Sequence, residues 1–453
     1  MKLHIGIDNT DSLYGGCTTY VGALIVEELL KIKEIKFIDY PNLIRLNPNI
    51  PWKTRGNGAI ALRIEIKDSE ESIMEKIEEL VTEKVWENSY VDDGAEPAIA
   101  FLIGDPKEEL KIFALESVKR IINIETAEKI AKYNNVKLIT LKNKKRGIIG
   151  ALSAVGIPLT YMDYTFELLT YRKRENWGTE RKIDIRSIYE MDRITSPYTF
   201  NNIDYNAQRV LITPRGPDPV LYGIRGESPK ILLAAMQKIK VYEPIERWVI
   251  YRTNQGTDMH YRKVEKITDI RSYDAIRITG KIYEKPKVIP GGHVILSITD
   301  NEKTINCAVY EPTENLKKIA VKLMPEDIVE LYGVTKPIKN GKLTLNIEKI
   351  NIKKLINLKI QANPKCPICG KTMKSEGKDK GYECKKCKYK SKNEKREIPL
   401  QRKIIEGIYL PPQKSQRHLT KPIIRYGSEK NHEPCKPIKN WYWSETLNDI
   451  QLL

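Results

Sequence analysis

One short loop near the start of the chain collects Asp8, Asn9, Thr10, Asp11, Gly15, Gly16, Thr18 and Thr19. Carboxylates at a strand end can hold Mg2+ through one or two direct contacts and several waters. Glycines and hydroxyls at a helix start can offer backbone N–H groups to a phosphate. A loop that does both points to phosphoryl chemistry, with Asp8 and Asp11 as candidate Mg2+ ligands and Gly15 and Gly16 as candidate nucleotide contacts. A polar turn capped by Asp11 or Thr18 is the equal alternative. A second constellation, Thr213-Pro-Arg215-Gly-Pro-Asp218-Pro followed by Gly223-Ile-Arg225-Gly-Glu227, sets two arginines and two carboxylates around rigid turns. Arginine suits bidentate phosphate contact, and Asp218 suits metal or proton handling; the competing reading is a hairpin with a surface ion pair. The acidic run Asp92-Asp93-Gly94-Ala95-Glu96 is either a seat for a small polycation or a solvated loop. Cys17 reads as a thiol nucleophile or, more commonly for its type, a small packed residue. His293 and His432 have no evident triad partner.

Cys366-Pro-Ile-Cys369 and Cys384-Lys-Lys-Cys387 are two CxxC knuckles. Each presents two thiolates from one tight turn, and two pairs complete a tetrahedral zinc site with no open position, so the zinc would be structural. The surrounding lysines (Lys365, Lys371, Lys374, Lys385, Lys386, Lys388) suit phosphate contact. Gly370-Lys371-Thr372 ends like a P-loop but lacks its first glycine. Gly56-Asn57-Gly58 leads into a strand instead of a helix, against a dinucleotide fingerprint; Arg55 and this loop either approach a phosphate or form a plain β-turn.

These residues need a scaffold. Strand patterns fall at 3–8, 36–46, 59–67 and 97–104, and helix patterns at 18–31, 71–86 and 107–121, giving an α/β unit over 1–130. A mixed unit over 131–260 follows, with strands at VKLITLK, YTFELLTYR, VLITPRG, VLYGIRG and RWVIYRTN. Its helices are a glycine-entered one from Gly147 through Gly150 to Gly156, and SPKILLAAMQKI. Over 268–357 five short strands with one helical stretch (Asn315–Leu323) match an OB-type Greek-key barrel, with an SH3-like barrel as the rival. The cysteine unit and a basic tail fill 362–453. The class is thus multidomain α+β.

The 453 residues carry 77 Lys plus Arg against 59 Asp plus Glu, a net charge of +18 that points to a polyanionic partner, most simply nucleic acid. No apolar run approaches the ~20 residues needed to cross a bilayer, and no signal pattern opens the chain; a soluble, cytoplasmic protein with no membrane contact is expected.

The stretches IGIDNTDSLYGGCTTY, RGIIGALSAVG, DYTFELLTYR, ITPRGPDPVLYGIRGESP and ERWVIYRTNQGTDMHY, with the barrel and zinc ribbon in the same order, resemble the archaeal 2-agmatinylcytidine synthetases over essentially the whole chain. The resemblance implies a kinase-like domain and a ferredoxin-like domain that bind ATP between them, and an OB-fold and zinc ribbon that grip tRNA. It implies ATP- and Mg2+-dependent activation of carbon 2 of the wobble cytidine of the AUA-reading isoleucine tRNA (CAU anticodon). Agmatine then displaces the activated oxygen, and ATP is split to AMP and pyrophosphate. It also implies autophosphorylation at Thr18. Asp8 and Asp11 would bind Mg2+, Arg215 would contact phosphates and Asp218 would assist metal binding or proton transfer. Gly147 and Gly150 would allow close nucleotide approach, and Arg225 would add a nucleotide contact. Asp92, Asp93 and Glu96 are the candidates for the agmatine dication. Asn9 stands where an aspartate pair is expected. No obligate protein partner is inferred. The rival readings are a non-enzymatic OB/zinc-ribbon binder of single strands and an ATP-dependent RNA-modifying enzyme using another amine.

Overall fold

The computed structural model describes residues 1–67, 71–141, 144–338, 341–392, 394–430 and 435–447; His432 lies outside them. The first unit runs β1 (Lys2–Asp8), α1 (Thr18–Leu30), β2 (Ile35–Phe37), β3 (Asn42–Arg45), β4 (Gly58–Ile66), α2 (Glu71–Glu87), β5 (Ala98–Ile103), α3 (Glu108–Lys119), α4 (Ile124–Tyr133), β6 (Lys137–Thr140) and α5 (Gly147–Gly156). The second runs β7 (Thr165–Arg172), α6 (Ile185–Thr195), β8 (Thr199–Phe200), β9 (Ile203–Asp204), β10 (Arg209–Val210), β11 (Val220–Gly226), α7 (Pro229–Met236) and β12 (Ile245–Thr253).

Both units share one sheet, ordered β6-β5-β1-β4-β3-β12-β7-β11-β8. The join is a short parallel pairing of β3 with β12, Asn42 opposite Arg252 and Leu43 opposite Thr253. Strand alternation decides what each face meets. On β1, Leu3, Ile5 and Ile7 enter the core with Val21, Val26 and Leu29 of α1. Gly6 and Asp8 turn the other way, toward α5: a Cβ on Gly6 would overlap the Ala151 carbonyl, and a Cβ on Gly150 would meet the Asp8 carboxylate. Helix α5 also packs on β4 and β5, and Arg63 of β4 binds the carbonyls of Ala154 (3.1 Å), Val155 (3.3 Å) and Ile157 (2.6 Å) at its C-terminal end.

Several expected elements shift. The strand at 36–46 is two strands, interrupted around Pro41, which cannot donate to a ladder. Only Val210 of VLITPRG is strand, as the end of β10, and Pro214, Pro217 and Pro219 turn the chain beyond it. A boundary at 130 falls inside α4, and β6 pairs with β5 in the first half of the sheet. Helices α4 and α6 add to the expected set, capped by Asn123 and Asp184 side chains.

Beyond β13 (Arg262–Val264), five strands close into a barrel: β14 (Ala275–Val288), β15 (Val294–Thr299), β16 (Thr304–Val309), β17 (Ile328–Pro337) and β18 (Leu343–Lys354), ordered β14-β15-β16-β18-β17 and back to β14. The expected helical stretch is α8 (Asn315–Ala320), between β16 and β17. The cysteine unit carries β19 (Lys359–Ala362), β20 (Lys374–Ser375), β21 (Tyr382–Glu383), β22 (Lys390–Ser391) and β23 (Arg396–Pro399). The tail then returns to the body: β24 (Gly407–Tyr409) joins β18, and β25 (Tyr442–Ser444) joins β12. Between them Arg425, almost fully buried, binds both oxygens of Asp163, at 3.0 and 3.1 Å, and Glu227. Among the described residues, no helix is long and apolar enough to cross a membrane.

Candidate active site and metal centre

A cavity of about 460 Å³ opens where β1, the first turns of α1 and α5, the loop before β4, and β11 converge. Asp8, Asp11, Thr18, Gly150, Asp218 and Arg225 line it together, joined by Arg45, Arg55, Glu167 and His418. The N-termini of α1 (Cys17, Thr18, Thr19) and α5 (Arg146, Ile149, Gly150) both face it, so two helix dipoles present their positive ends to one space.

The capped-turn alternative fails here. Cys17 is the N-cap of α1 and its side chain makes no capping bond. Thr18 instead bonds Thr10 between hydroxyls at 3.1 Å. Asp11 accepts from Arg55 Nε at 2.9 Å and from Thr54 Oγ1 at 3.2 Å. The same guanidinium reaches Asp218 Oδ2 at 3.3 Å and the Gly16 carbonyl, so Arg55 ties the opening loop to the turn before β11. Arg181 holds the other side of Asp218, donating to its carbonyl at 3.1 Å. Burial still pushes the Asp218 carboxyl up against both guanidiniums. Arg225 pairs with Glu167 Oε1 at 3.0 Å.

Asp8 is different. Its carboxyl is pushed up to about 8 by burial, with Asp11 adding to the rise. Asp11 and Asp218 have arginine partners, and Asp8 lacks one among the described residues. Asn9 follows with φ of 61°, in the left-handed region that asparagine tolerates better than most residues. That accounts for Asn9 as the residue that turns the chain out of β1.

Not every expected residue reaches the cavity. Arg215 is exposed on its proline-flanked turn, outside the cavity lining; Arg55 and Arg181 are the guanidiniums beside Asp218. Gly15 and Gly16 lie behind the cavity wall, where a Cβ on either would come within 2.7 Å of the Tyr90 ring. They let the loop pack on Tyr90. Gly147 admits α5 to the backbone of Glu96 and Ala98, and Gly150, which lines the cavity, admits it to Asp8. Asp92 and Asp93 are exposed outside the lining, and Glu96 bonds the Arg146 backbone at 3.2 Å. Burial raises the Cys17 thiol, and its sulfur sits 3.0 Å from Thr19 Oγ1, as a packed residue would. His293 accepts from the Glu311 N–H at 3.0 Å on the barrel and has no catalytic company. Sequence reasoning leaves Arg55 open between two roles; it gives no sign of Arg45, Glu167, Arg181, Trp52 or His418.

The metal centre matches its expectation. The sulfurs of Cys366, Cys369, Cys384 and Cys387 all lie within 4.8 Å of one another. The two knuckles repeat one geometry: Gly370 N–H bonds Cys366 O, and Lys388 N–H bonds Cys384 O, each at 2.8 Å. Backbone N–H groups of Cys387 and Lys386 hold the Cys384 thiol well below its usual range. Four soft donors at tetrahedral spacing fit Zn2+, and they close its coordination.

Family models match the chain in four consecutive pieces. These are the TiaS TCKD domain over 4–143, the TiaS FLD domain over 145–260, an OB-fold nucleic acid binding domain over 276–353, and the TiaS C-terminal zinc ribbon domain over 363–404. The isoleucine-tRNA 2-agmatinylcytidine synthetase TiaS of Staphylothermus marinus is 42% identical, covering 98% of each chain. The chain belongs to the tRNA 2-agmatinylcytidine synthetase family. A crystal structure of apo TiaS superposes with a TM-score of 0.82 at 37% identity, over 97% of this chain and 100% of that one. A crystal structure of TiaS in complex with its isoleucine tRNA, AMPCPP and agmatine superposes at 0.79 and 36% identity, over 96% and 99%. The family's OB-fold and zinc-ribbon pieces fall on the closed barrel and the four cysteines, which retires the SH3-like alternative.

Proposed function

We propose that this chain joins agmatine to carbon 2 of the wobble cytidine of the AUA-reading isoleucine tRNA at the expense of ATP, in the cytoplasm where tRNA is matured. The observation that carries the reading is the single cavity in which Asp8, Asp11, Asp218 and Thr18 meet two helix N-termini and an arginine bridge. A carbonyl oxygen is a poor leaving group. Transfer of a phosphorus group from ATP to that oxygen makes it a good one: of AMP and pyrophosphate, one leaves in the transfer and the other departs with the oxygen when the agmatine amine attacks carbon 2, the C–N bond forming as the C–O bond breaks and the amine giving up a proton.

The chain's own groups fit these steps. The N–H groups at the starts of α1 and α5 receive phosphate oxygens. Arg55 and Arg225 neutralise charge on the transferring group. Asp8, half-buried on the cavity lining and without a cation partner among the described residues, is the best placed Mg2+ ligand, with Asp11 and Asp218 beside it. Bound there, Mg2+ would neutralise ATP oxygens. Thr18, at the first turn of α1 and facing the cavity, is the hydroxyl placed to accept a phosphoryl group, which supports autophosphorylation there. The barrel, the lysine-rich zinc ribbon and the +18 charge supply the RNA-binding half. A purely non-enzymatic binder would leave the cavity and its carboxylates without a purpose.

The decisive experiment incubates the protein with the isoleucine tRNA, ATP and agmatine and analyses the nucleosides by mass spectrometry. A cytidine heavier by the agmatine moiety is expected; unmodified cytidine, or a mass matching another amine, overturns the reading.

A further inference from the structure

A second mouth of about 240 Å³ lies beside the main cavity, bounded by residues 45–56 of the first unit and 416–419 of the tail. Arg45, Lys53, Arg55, Gln416 and His418 line both spaces, so the two are continuous. Charge is sorted between them. Asp8, Asp11, Glu167 and Asp218 line the main cavity, whereas among the described residues no carboxylate lines the second mouth.

Arg45 and Arg55 face carboxylates of the main cavity, and Lys53 and Arg417 are the less balanced cations. Lys53 Nζ donates to the Arg55 carbonyl at 3.0 Å, and the charges acting on it, those of Arg417 and Lys336, are also positive. Arg417 meets Glu348 Oε1 at 3.2 Å while nearly half of its side chain stays open to solvent. His418 adds a directed donor. Its Nδ1 lies 2.7 Å from Arg225 Nη2. A guanidinium only donates, so Nδ1 accepts and the ring proton resides on Nε2, on the side of Gly56. The nearby positive charge of Arg45, followed by desolvation in the cleft and by Arg225, Arg417 and Lys53, keeps the ring neutral.

We propose that this mouth seats a backbone phosphodiester of the RNA strand, next to the nucleotide whose base enters the main cavity; the inference rests on the tRNA reading above. A magnesium nucleotide needs carboxylates for its metal, and those line the other space. A phosphodiester carries one charge and needs only donors, which Lys53, Arg417 and the His418 Nε2–H supply. Trp52, also on the cavity lining and 49% exposed, offers an adjacent aromatic face for an unstacked base. The tail thus builds part of the substrate-binding surface as well as bracing the fold.

The test compares wild type with Lys53→Gln and Arg417→Gln. Both side chains reach the surface, and thermal midpoints identify any loss of folding; Lys53→Arg and Arg417→Lys keep the charge and serve as second variants. Affinity for a transcript of the isoleucine tRNA is measured over a series of salt concentrations, and the KM for ATP is measured separately. Each Gln variant should bind tRNA about 3- to 10-fold more weakly, with a log–log salt slope shallower by roughly 0.7 per lost phosphate contact, and for Arg417→Gln, whose side chain lines only the second mouth, the KM for ATP should stay within about two-fold of wild type. The charge-keeping variants should recover most of the binding. A raised KM for ATP with unchanged tRNA affinity would assign the mouth to the nucleotide and overturn the proposal, as would no change in either. The binding measurement is independent of product formation, so its outcome is separable from failure of the ligation reading itself.

Discussion

Asp8 gives the sharpest quantitative test. Its carboxyl is raised from 3.8 to about 8, so the folded, metal-free protein keeps a proton that the unfolded chain releases. Raising the pH therefore favours unfolding, beginning near pH 4 and levelling off above about pH 8. At 1.36 kcal/mol per unit, four units set a ceiling of about 5 kcal/mol. The carboxylate borders a water-accessible cavity, which reduces the expected penalty to about 2–4 kcal/mol. Asp8→Asn is neutral at every pH and escapes it. In magnesium-free buffer the variant should match wild type near pH 4.5. At pH 9 it should unfold higher by about 5 °C or more, given roughly 2–4 °C per kcal/mol for units of this size. Thermal unfolding followed by circular dichroism across this pH range is the assay. Adding Mg2+ at pH 9 should raise the wild-type midpoint and leave that of Asp8→Asn in place. A pH-independent difference, or an Asn variant less stable at pH 9, would refute the argument that the cavity holds an uncompensated carboxyl.

Other expectations follow from particular contacts. Gly150→Ala sets a Cβ against Asp8 Oδ2, well inside contact distance, so Asp8 or α5 must move; AMP formation should fall at least tenfold while tRNA binding is kept. Arg425→Met removes the cation that Asp163 and Glu227 share, while Lys421 and Lys430 stay beside them, and should destabilise the tail–body contact by about 1.5–3 kcal/mol, read by denaturant unfolding. His4 is held down to about 3, first by burial and then by Arg63, so the folded state resists its protonation. Stability from this group is complete above pH 6.5 and is lost as pH falls toward 3, and His4→Gln should flatten that acid limb in a pH series of midpoints. Thiol-directed release of zinc should yield one ion per chain, measured with a colorimetric chelator, and should weaken tRNA binding while leaving ATP binding to the cavity intact.

Periodic, apolar elements were legible in the sequence. β1, α1, α5 and the barrel strands lie within three residues of expectation because burial imposes their pattern. The cysteine knuckles were legible because spacing alone determines a four-thiolate site. Helices α4 and α6 escape notice since their sequences are largely polar, although Asn123 and Asp184 mark their starts. Glycines announced close approach without saying of what: Gly147 admits a strand and Gly150 a carboxylate beside the cavity. Arg215 shows the limit of motif proximity: it is exposed outside the lining although Pro214 and Asp218 around it line the cavity, while Arg55, far off in sequence, stands beside Asp218. Nothing local in the sequence could announce His418, whose place depends on the tail's return.

That return has a kinetic consequence. Tyr442 bonds Glu27 across 415 residues of chain, and His418 bonds Arg225 across 193. Contacts of such separation form late, because the loops they close must be ordered first. The sheet from β6 to β8, the five-stranded barrel and the zinc unit can each form while the reaction cleft still lacks one wall. On heating, the same wall is placed to leave first, so activity should vanish while most of the secondary structure persists, and return on cooling as the tail docks again.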